Sequence, residues 1–75
     1  MQVDVQCFAT LASYGPAHGS MDVSEGARIQ ELLEHLGIPA KEVRLVFVNG
    51  KVQTDWSYQI QPGDRVGIFP PVGGG

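Results

Sequence analysis

Hydrophobic and polar side chains alternate at the start of the chain, a pattern typical of a strand with one buried face. Val3, Val5 and Cys7 point to one side of residues 2–9, and mostly polar side chains point to the other. A shorter alternating stretch at 21–23 predicts a second strand. The glycines and proline of residues 10–20 predict the connection between the two strands.

The clearest periodicity in the chain predicts one helix. Apolar side chains recur at the i, i+3, i+4 and i+7 spacing of a single helical face: Ile29, Leu32, Leu33 and Leu36. Gly37 suits the position just after a helix end, and Pro39 prevents continuation. The start is less defined, since Ser24 is a candidate cap, whereas a start near Ala27 has no good capping side chain.

The second half of the chain predicts three more strands. Residues 44–48 form a continuous apolar run, and the Asn-Gly pair at 49–50 is the strongest two-residue hairpin signal. Residues 51–53 form the short return strand. A Pro-Gly-Asp turn at 62–64 then precedes the last strand, which we predict over 65–69.

These elements predict the fold class. The order is strand, strand, helix, strand, short strand, strand, and one helix on a mixed sheet makes a two-layer α+β domain. A right-handed crossover over the helix favours the β-grasp arrangement, with a mixed sheet of four to five strands and one main helix packed on one face. We expect residues 1–69 to form this domain and residues 70–75 to form a flexible C-terminal tail.

The sheet face opposite the helix is predicted to be open, although the strands are apolar on both faces. We expect Leu45 and Phe47 to point inside. Strand parity then places four apolar residues on the open side: Phe8, Val46, Val48 and Phe69. Exposed apolar clusters usually mark a partner surface, which is the favoured interpretation. The alternative is partial cover of this face by residues 10–20 or by Trp56.

Composition narrows the classes of function. The 75 residues carry a net charge of −3, and the five basic residues are scattered, so we expect no nucleic-acid partner. No apolar run approaches membrane-spanning length, and the start of the chain lacks the pattern of a signal peptide. We therefore expect a cytoplasmic protein with no membrane partner.

Side chains able to catalyse a reaction are sparse. His18 and His35 are isolated from other ligand side chains, so we expect no metal site. Cys7 alternates with core positions and is interpreted as an inert buried thiol. An enzyme is therefore the least favoured class, and we expect no cofactor bound by this chain.

The chain ends in a segment with distinctive chemistry: Pro70, Pro71, Val72, Gly73, Gly74 and Gly75. Two prolines end sheet pairing and begin a stiff extended segment, and three glycines make a chain without side chains. Such a segment fits a narrow active site of another protein. In that active site, the partner enzyme can use ATP to convert the Gly75 carboxylate to an acyl-adenylate, which a sulfur nucleophile then attacks. The plain alternative is a frayed terminus.

The chain resembles the MoaD/ThiS family of ubiquitin-like sulfur carrier proteins. The resemblance rests on residues 48–51, 62–66 and 66–75 and on the helix with its Leu32-Leu33 pair. The Pro-Pro-Val ending is more similar to MoaD, the small subunit of molybdopterin synthase, than to ThiS. The chain departs from the family pattern at Gly73, where alanine or serine is common, and at Arg28, where a threonine or serine usually caps the helix.

The resemblance implies a carrier that partner enzymes act upon. An adenylyltransferase of the MoeB/ThiF type uses ATP to activate the terminal glycine, sulfur transfer makes a thiocarboxylate, and a MoaE-type large subunit of molybdopterin synthase accepts the sulfur. By position, Gly75 is the modified residue and Phe69 docks the base of the tail. The other implied partner-binding residues are Phe8, Val46, Pro70, Pro71, Val72, Gly73 and Gly74. The alternatives are a thiamin-thiazole or cysteine-pathway carrier, a ubiquitin-like protein modifier and a non-covalent interaction module.

Overall fold

The computed structural model describes residues 1–71 of the chain. Five strands are present: β1 (Gln2–Cys7), β2 (Ser20–Asp22), β3 (Leu45–Val48), β4 (Lys51–Val52) and β5 (Arg65–Phe69). One α-helix, α1 (Ile29–Leu36), follows β2, and two short 3₁₀ helices span Ala9–Tyr14 and Ala40–Glu42. The predicted order of strands and helix is confirmed. The predictions for Val72, Gly73, Gly74 and Gly75 lie outside the described residues.

The five strands form one mixed sheet in the order β2-β1-β5-β3-β4. β1 and β5 run parallel, while β1–β2, β3–β4 and β3–β5 are antiparallel. β5 is therefore the central strand, and the chain leaves the sheet from its middle. The predicted mixed sheet with one main helix is confirmed.

The core lies between α1 and one face of the sheet. The strand and helix residues that fill it are Val3, Val5, Cys7, Ile29, Leu32, Leu33, Val46, Val48, Val66 and Ile68. The helical face predicted from the spacing is confirmed, although Leu36 at its end is only half-buried. Gly37 ends the helix with a left-handed φ of 79°, a conformation that favours glycine. We call the opposite sheet face, which α1 does not cover, the open face.

The predicted orientation of β3 is wrong. Val46 and Val48 are only 1% and 3% exposed, whereas Leu45 is 38% exposed and Phe47 is half-buried on the open face. Register explains the difference, since Val46 pairs with Ile68 of β5 and cross-strand partners share a face. Val46 therefore belongs to the core and cannot contact a partner on the open face.

The first backbone N–H groups of α1 donate to backbone carbonyls, and no side chain caps the helix. The N–H groups of Ile29 and Gln30 donate to carbonyls in the β4–β5 connection, at 3.1 and 3.0 Å. Glu31 Oε1 accepts the Arg28 backbone N–H at 2.9 Å. Arg28 is the N-cap residue, and its guanidinium has no acceptor atom, so the helix start depends on the neighbouring loop. Ser24, the candidate cap, lies outside the helix.

The buried carboxylate of Asp64 joins two turns: the turn that precedes β5 and the turn of the β3–β4 hairpin. Asp64 is 6% exposed, and its carboxylate accepts from Asn49 Nδ2 at 2.9 Å and from the Gln61 backbone N–H at 2.8 Å. Asn49 and Gly50 have φ values of 53° and 83°, as the predicted hairpin turn requires. Asn49 Oδ1 also accepts the Arg65 N–H at 3.0 Å. One polar group thus fixes both turns.

Asp64→Asn is expected to lower the free energy of unfolding by about 2 kcal/mol. Both partners of the Asp64 carboxylate are donors, and an amide presents only one acceptor oxygen to them. The measurement is urea denaturation, with Asp4→Asn on the exposed part of β1 as the control. Equal denaturation midpoints for the two variants would contradict this role of Asp64.

Candidate functional site

Three phenylalanine rings meet on the open face, and we call Phe8, Phe47 and Phe69 the aromatic cluster. The rings of Phe8 and Phe69 stack with centroids 4.2 Å apart and planes within 6°. Phe47 meets Phe69 edge-on, with centroids 5.3 Å apart and an interplanar angle of 70°. All three are half-buried, so an apolar surface remains accessible beside the end of the central strand.

The local backbone directs Phe8 onto the open face. Its N–H donates to the Ile68 carbonyl at 3.0 Å, which continues the pairing of β1 with β5 by one bond. The next residue, Ala9, has a φ of 52°, a left-handed conformation that alanine adopts at a cost of about 1 kcal/mol. The turn at Ala9 starts the 3₁₀ helix that buries Leu11 completely. The buried Leu11 therefore anchors the segment that holds Phe8.

A groove of about 800 Å³ runs along the open face. Besides the aromatic cluster, its lining includes Asp4, Gln6, His18, Arg65 and Gly67. Residues Gly15, Pro16 and Gly19 also line it, so the segment 10–20 partly covers the open face, as one alternative predicted. Trp56 packs against the core instead. The result is an open groove with an aromatic end and a polar end.

The base of the tail is held by the sheet. Phe69 is the last residue of β5, and its carbonyl accepts the Arg44 N–H at 2.8 Å. Pro70 is buried and Pro71 is exposed. The path of the chain thus leaves the central strand directly beside the aromatic cluster. The domain boundary after Phe69 stays a prediction, as do the partner roles of Pro70 and Pro71.

The structure brings Phe8 and Phe69 together, and it adds two residues that sequence reasoning did not assign to this surface. Phe47 was predicted to point inside, and Gly67 was not considered. The signal that would have found both is the β3–β5 register, in which Phe47 pairs with Gly67. The register depends on the partner strand. A run that is apolar at every position does not show which of its residues face the core.

The titratable groups considered for chemistry are Cys7, His18 and His35. Cys7 is 8% exposed, and burial raises the pKa of its thiol, so the nucleophilic thiolate is disfavoured. His18 is exposed beside the groove, and His35 is exposed on α1. Among residues 1–71, no cluster of three or more His, Cys, Asp or Glu side chains could hold a metal ion.

Cys7 is expected to resist alkylation in the folded protein. Burial removes access to the sulfur atom, and the raised pKa keeps the thiol protonated near neutral pH. Iodoacetamide labelling followed by mass spectrometry should show slow modification in buffer and rapid modification in denaturant. Equally rapid labelling in both conditions would show that the Cys7 sulfur is accessible in the fold.

Solved structures share this architecture. A putative molybdopterin converting factor, subunit 1, from Pyrococcus furiosus is 27% identical, with a TM-score of 0.73 and coverage of 96% of this chain and 99% of that one. SAMP1 from Haloferax volcanii is 23% identical, with a TM-score of 0.73 and full coverage of both chains. The complex of subunits 1 and 2 of molybdopterin-converting factor from Helicobacter pylori contains a chain that is 22% identical, with a TM-score of 0.63 and full coverage of both chains. The β-grasp, ubiquitin-like fold is therefore confirmed.

Comparison at the sequence level identifies the family. A search of curated proteins found no match. In the part of the chain that the structure describes, no helix has the length and apolar character needed to cross a membrane. The sequence model of the ThiS family matches residues 5–75, nearly the whole chain. With the β-grasp fold and the terminal glycines, this match shows that the chain belongs to the ThiS family of ubiquitin-like proteins.

Proposed function

We propose that this chain is a cytoplasmic sulfur carrier whose reactive group is the carboxylate of Gly75. A carboxylate resists nucleophiles because of its charge and resonance. A partner enzyme therefore activates it: a carboxylate oxygen attacks the α-phosphorus of ATP and pyrophosphate leaves. Hydrosulfide then attacks the acyl carbon, AMP leaves, the thioacid loses its proton to solvent, and a thiocarboxylate remains on Gly75. In this scheme the chain is a substrate, and the ATP is bound by its partner.

The observation that carries this proposal is the position of β5. The central strand ends at Phe69, within the aromatic cluster, and the glycine segment begins after Pro70, Pro71 and Val72. A partner that docks on the open face would bind beside Phe69, a few residues before the segment that it must act upon. Docking only a few residues away along the chain keeps the reacting group near the partner and lowers the entropic part of the barrier.

The pathway we propose is molybdopterin synthesis. The Pro-Pro-Val sequence at 70–72 is typical of MoaD, and a structural relative at 27% identity is described as a putative molybdopterin converting factor, subunit 1. We propose a MoeB/ThiF-type adenylyltransferase as the activating partner and a MoaE-type large subunit of molybdopterin synthase as the sulfur acceptor. The matching family model is that of ThiS, which favours thiamin-thiazole synthesis as the second candidate.

Sulfur transfer from the loaded carrier separates the two pathways. The thiocarboxylate form would be mixed with the large subunit and its sulfur-free pterin precursor, or with thiazole synthase and its substrates. We expect molybdopterin to form in the first mixture, with Gly75 returned to a carboxylate. Product in the thiazole mixture alone would contradict the molybdopterin assignment and support the second candidate.

A further inference from the structure

Asn49 and Gly50 form the tip of the β3–β4 hairpin, and this pair has a reactivity of its own. Asn49 is the single asparagine of the chain, and asparagine is among the thermolabile side chains. When glycine follows, its backbone nitrogen can attack the asparagine Cγ atom, because no side chain obstructs the approach. The proton of that nitrogen passes through solvent to Nδ2, the Cγ–Nδ2 bond breaks, ammonia leaves and a succinimide ring remains. Water then opens the ring at either carbonyl, which gives aspartate or isoaspartate.

The folded turn prevents this attack. Asn49 and Gly50 have φ values of 53° and 83°, which fit the two-residue hairpin turn that mirrors type I. In this turn the ψ of the first residue is about 30°, so the Gly50 nitrogen points away from the Cβ atom of Asn49. A five-membered ring needs that nitrogen on the same side as Cβ. Ring closure therefore requires the turn to open first.

Hydrogen bonds also hold the side-chain amide of Asn49 at both ends. Nδ2 donates to Asp64 Oδ1 at 2.9 Å, and Oδ1 accepts the Arg65 backbone N–H at 3.0 Å. Turning Cγ toward Gly50 would break both bonds. The hairpin can nevertheless open locally without loss of the core, because β4 is an edge strand of only two residues, both exposed.

We propose that Asn49 is a site of self-catalysed deamidation, protected while the hairpin is folded and reactive whenever it opens. The product cannot restore the native contacts. Aspartate at position 49 has no donor for Asp64 and places a second carboxylate where Nδ2 now lies, 2.9 Å from the first. Like charges at this distance repel, and isoaspartate in addition lengthens the turn by one backbone carbon. Deamidation thus converts a transient opening of the hairpin into a lasting loss of its native turn. This site is independent of the proposed sulfur chemistry.

The rate of deamidation in folded and unfolded chains tests the protection. The unmodified chain would be incubated at mildly alkaline pH in buffer and in guanidinium chloride, then digested with trypsin. Cleavage after Arg44 and Lys51 isolates the site in peptide 45–51. We expect the mass increase that matches exchange of NH₂ for OH to develop at least about tenfold faster in denaturant. Asn49→Gln is the matched control, since its longer side chain would have to close a larger ring, and its peptide should gain no such mass.

Asn49→Asp produces one deamidation product directly and measures its consequence. In urea denaturation, its ratio of folded to unfolded protein should fall roughly tenfold or more. Combining this change with Asp64→Asn exchanges donor and acceptor. The new amide at position 64 can donate to the new carboxylate at position 49 and still accept the Gln61 N–H, so the double variant should be more stable than Asn49→Asp alone.

Each part of the proposal has a result that overturns it. Equal rates in buffer and in denaturant would show that the folded turn does not protect Asn49. Failure of the unfolded chain to gain the expected mass would show that the pair is not reactive. An Asn49→Asp variant as stable as the unmodified chain would show that the fold tolerates the product. A double variant less stable than Asn49→Asp would contradict the role assigned to the Asp64 contact.

Discussion

Deletion of Gly75 is expected to abolish adenylation of the chain and to leave its melting temperature unchanged. The deletion moves the terminal carboxylate back by one residue, about 3.3 Å of extended chain. Misplacement of a reacting group by as little as about 1 Å can cost roughly a hundredfold in rate. The described core ends with buried Pro70, so the deletion removes no residue that the structure places in the core.

ATP–pyrophosphate exchange by the adenylyltransferase measures this prediction, with thermal unfolding measured on the same sample. Gly73→Ala is the matched control, because it changes the same segment without changing its length, and it should remain active. Normal exchange with the shortened chain would contradict the role of Gly75. A large fall in melting temperature would show that Gly75 contributes to the fold.

Phe69→Ala is expected to weaken partner binding by about 1–3 kcal/mol, the range of a true interface hot spot. The ring is half-buried on the open face and contacts both other members of the aromatic cluster. Losing these ring contacts should also cost about 1 kcal/mol of folding stability. We expect the loss of binding to exceed the loss of stability, because the partner would bury the ring area that solvent now reaches.

Titration calorimetry and urea denaturation separate the two effects of Phe69→Ala. Leu45→Ala is the control, since Leu45 is exposed on the same face and pairs with Phe69 across β3 and β5. We expect Leu45→Ala to lower both the partner affinity and the folding stability less than Phe69→Ala does. A lower stability of Phe69→Ala with unchanged affinity would make the ring a structural residue and would remove it from the docking surface.

Local patterns were sufficient to predict most of the fold. The i, i+3, i+4, i+7 spacing defined the helix through Ile29 and Leu36, and Gly37 marked its end. The Asn49-Gly50 pair gave the hairpin, and the turn at 62–64 gave the start of β5. Each of these signals acts through neighbours in sequence, so a single chain is enough to recognise them.

The features that the sequence patterns did not predict depend on interactions between segments that are far apart in the chain. The orientation of Val46 and Phe47 depends on their register with β5, because β3 is apolar at every position. The start of α1 depends on carbonyls from a loop more than twenty residues away, so no capping side chain marked it.

The sulfur-carrier proposal is tested most directly by the intact mass of the protein after incubation with ATP, a sulfide source and a MoeB-type adenylyltransferase. We expect a mass increase that matches exchange of one oxygen for sulfur, located by fragmentation on the peptide that ends in Gly75. An unchanged mass, with an enzyme shown to be active on its own carrier, would contradict the proposal. Reduction-resistant lysine conjugates of this chain in cell extracts would then indicate a protein modifier instead.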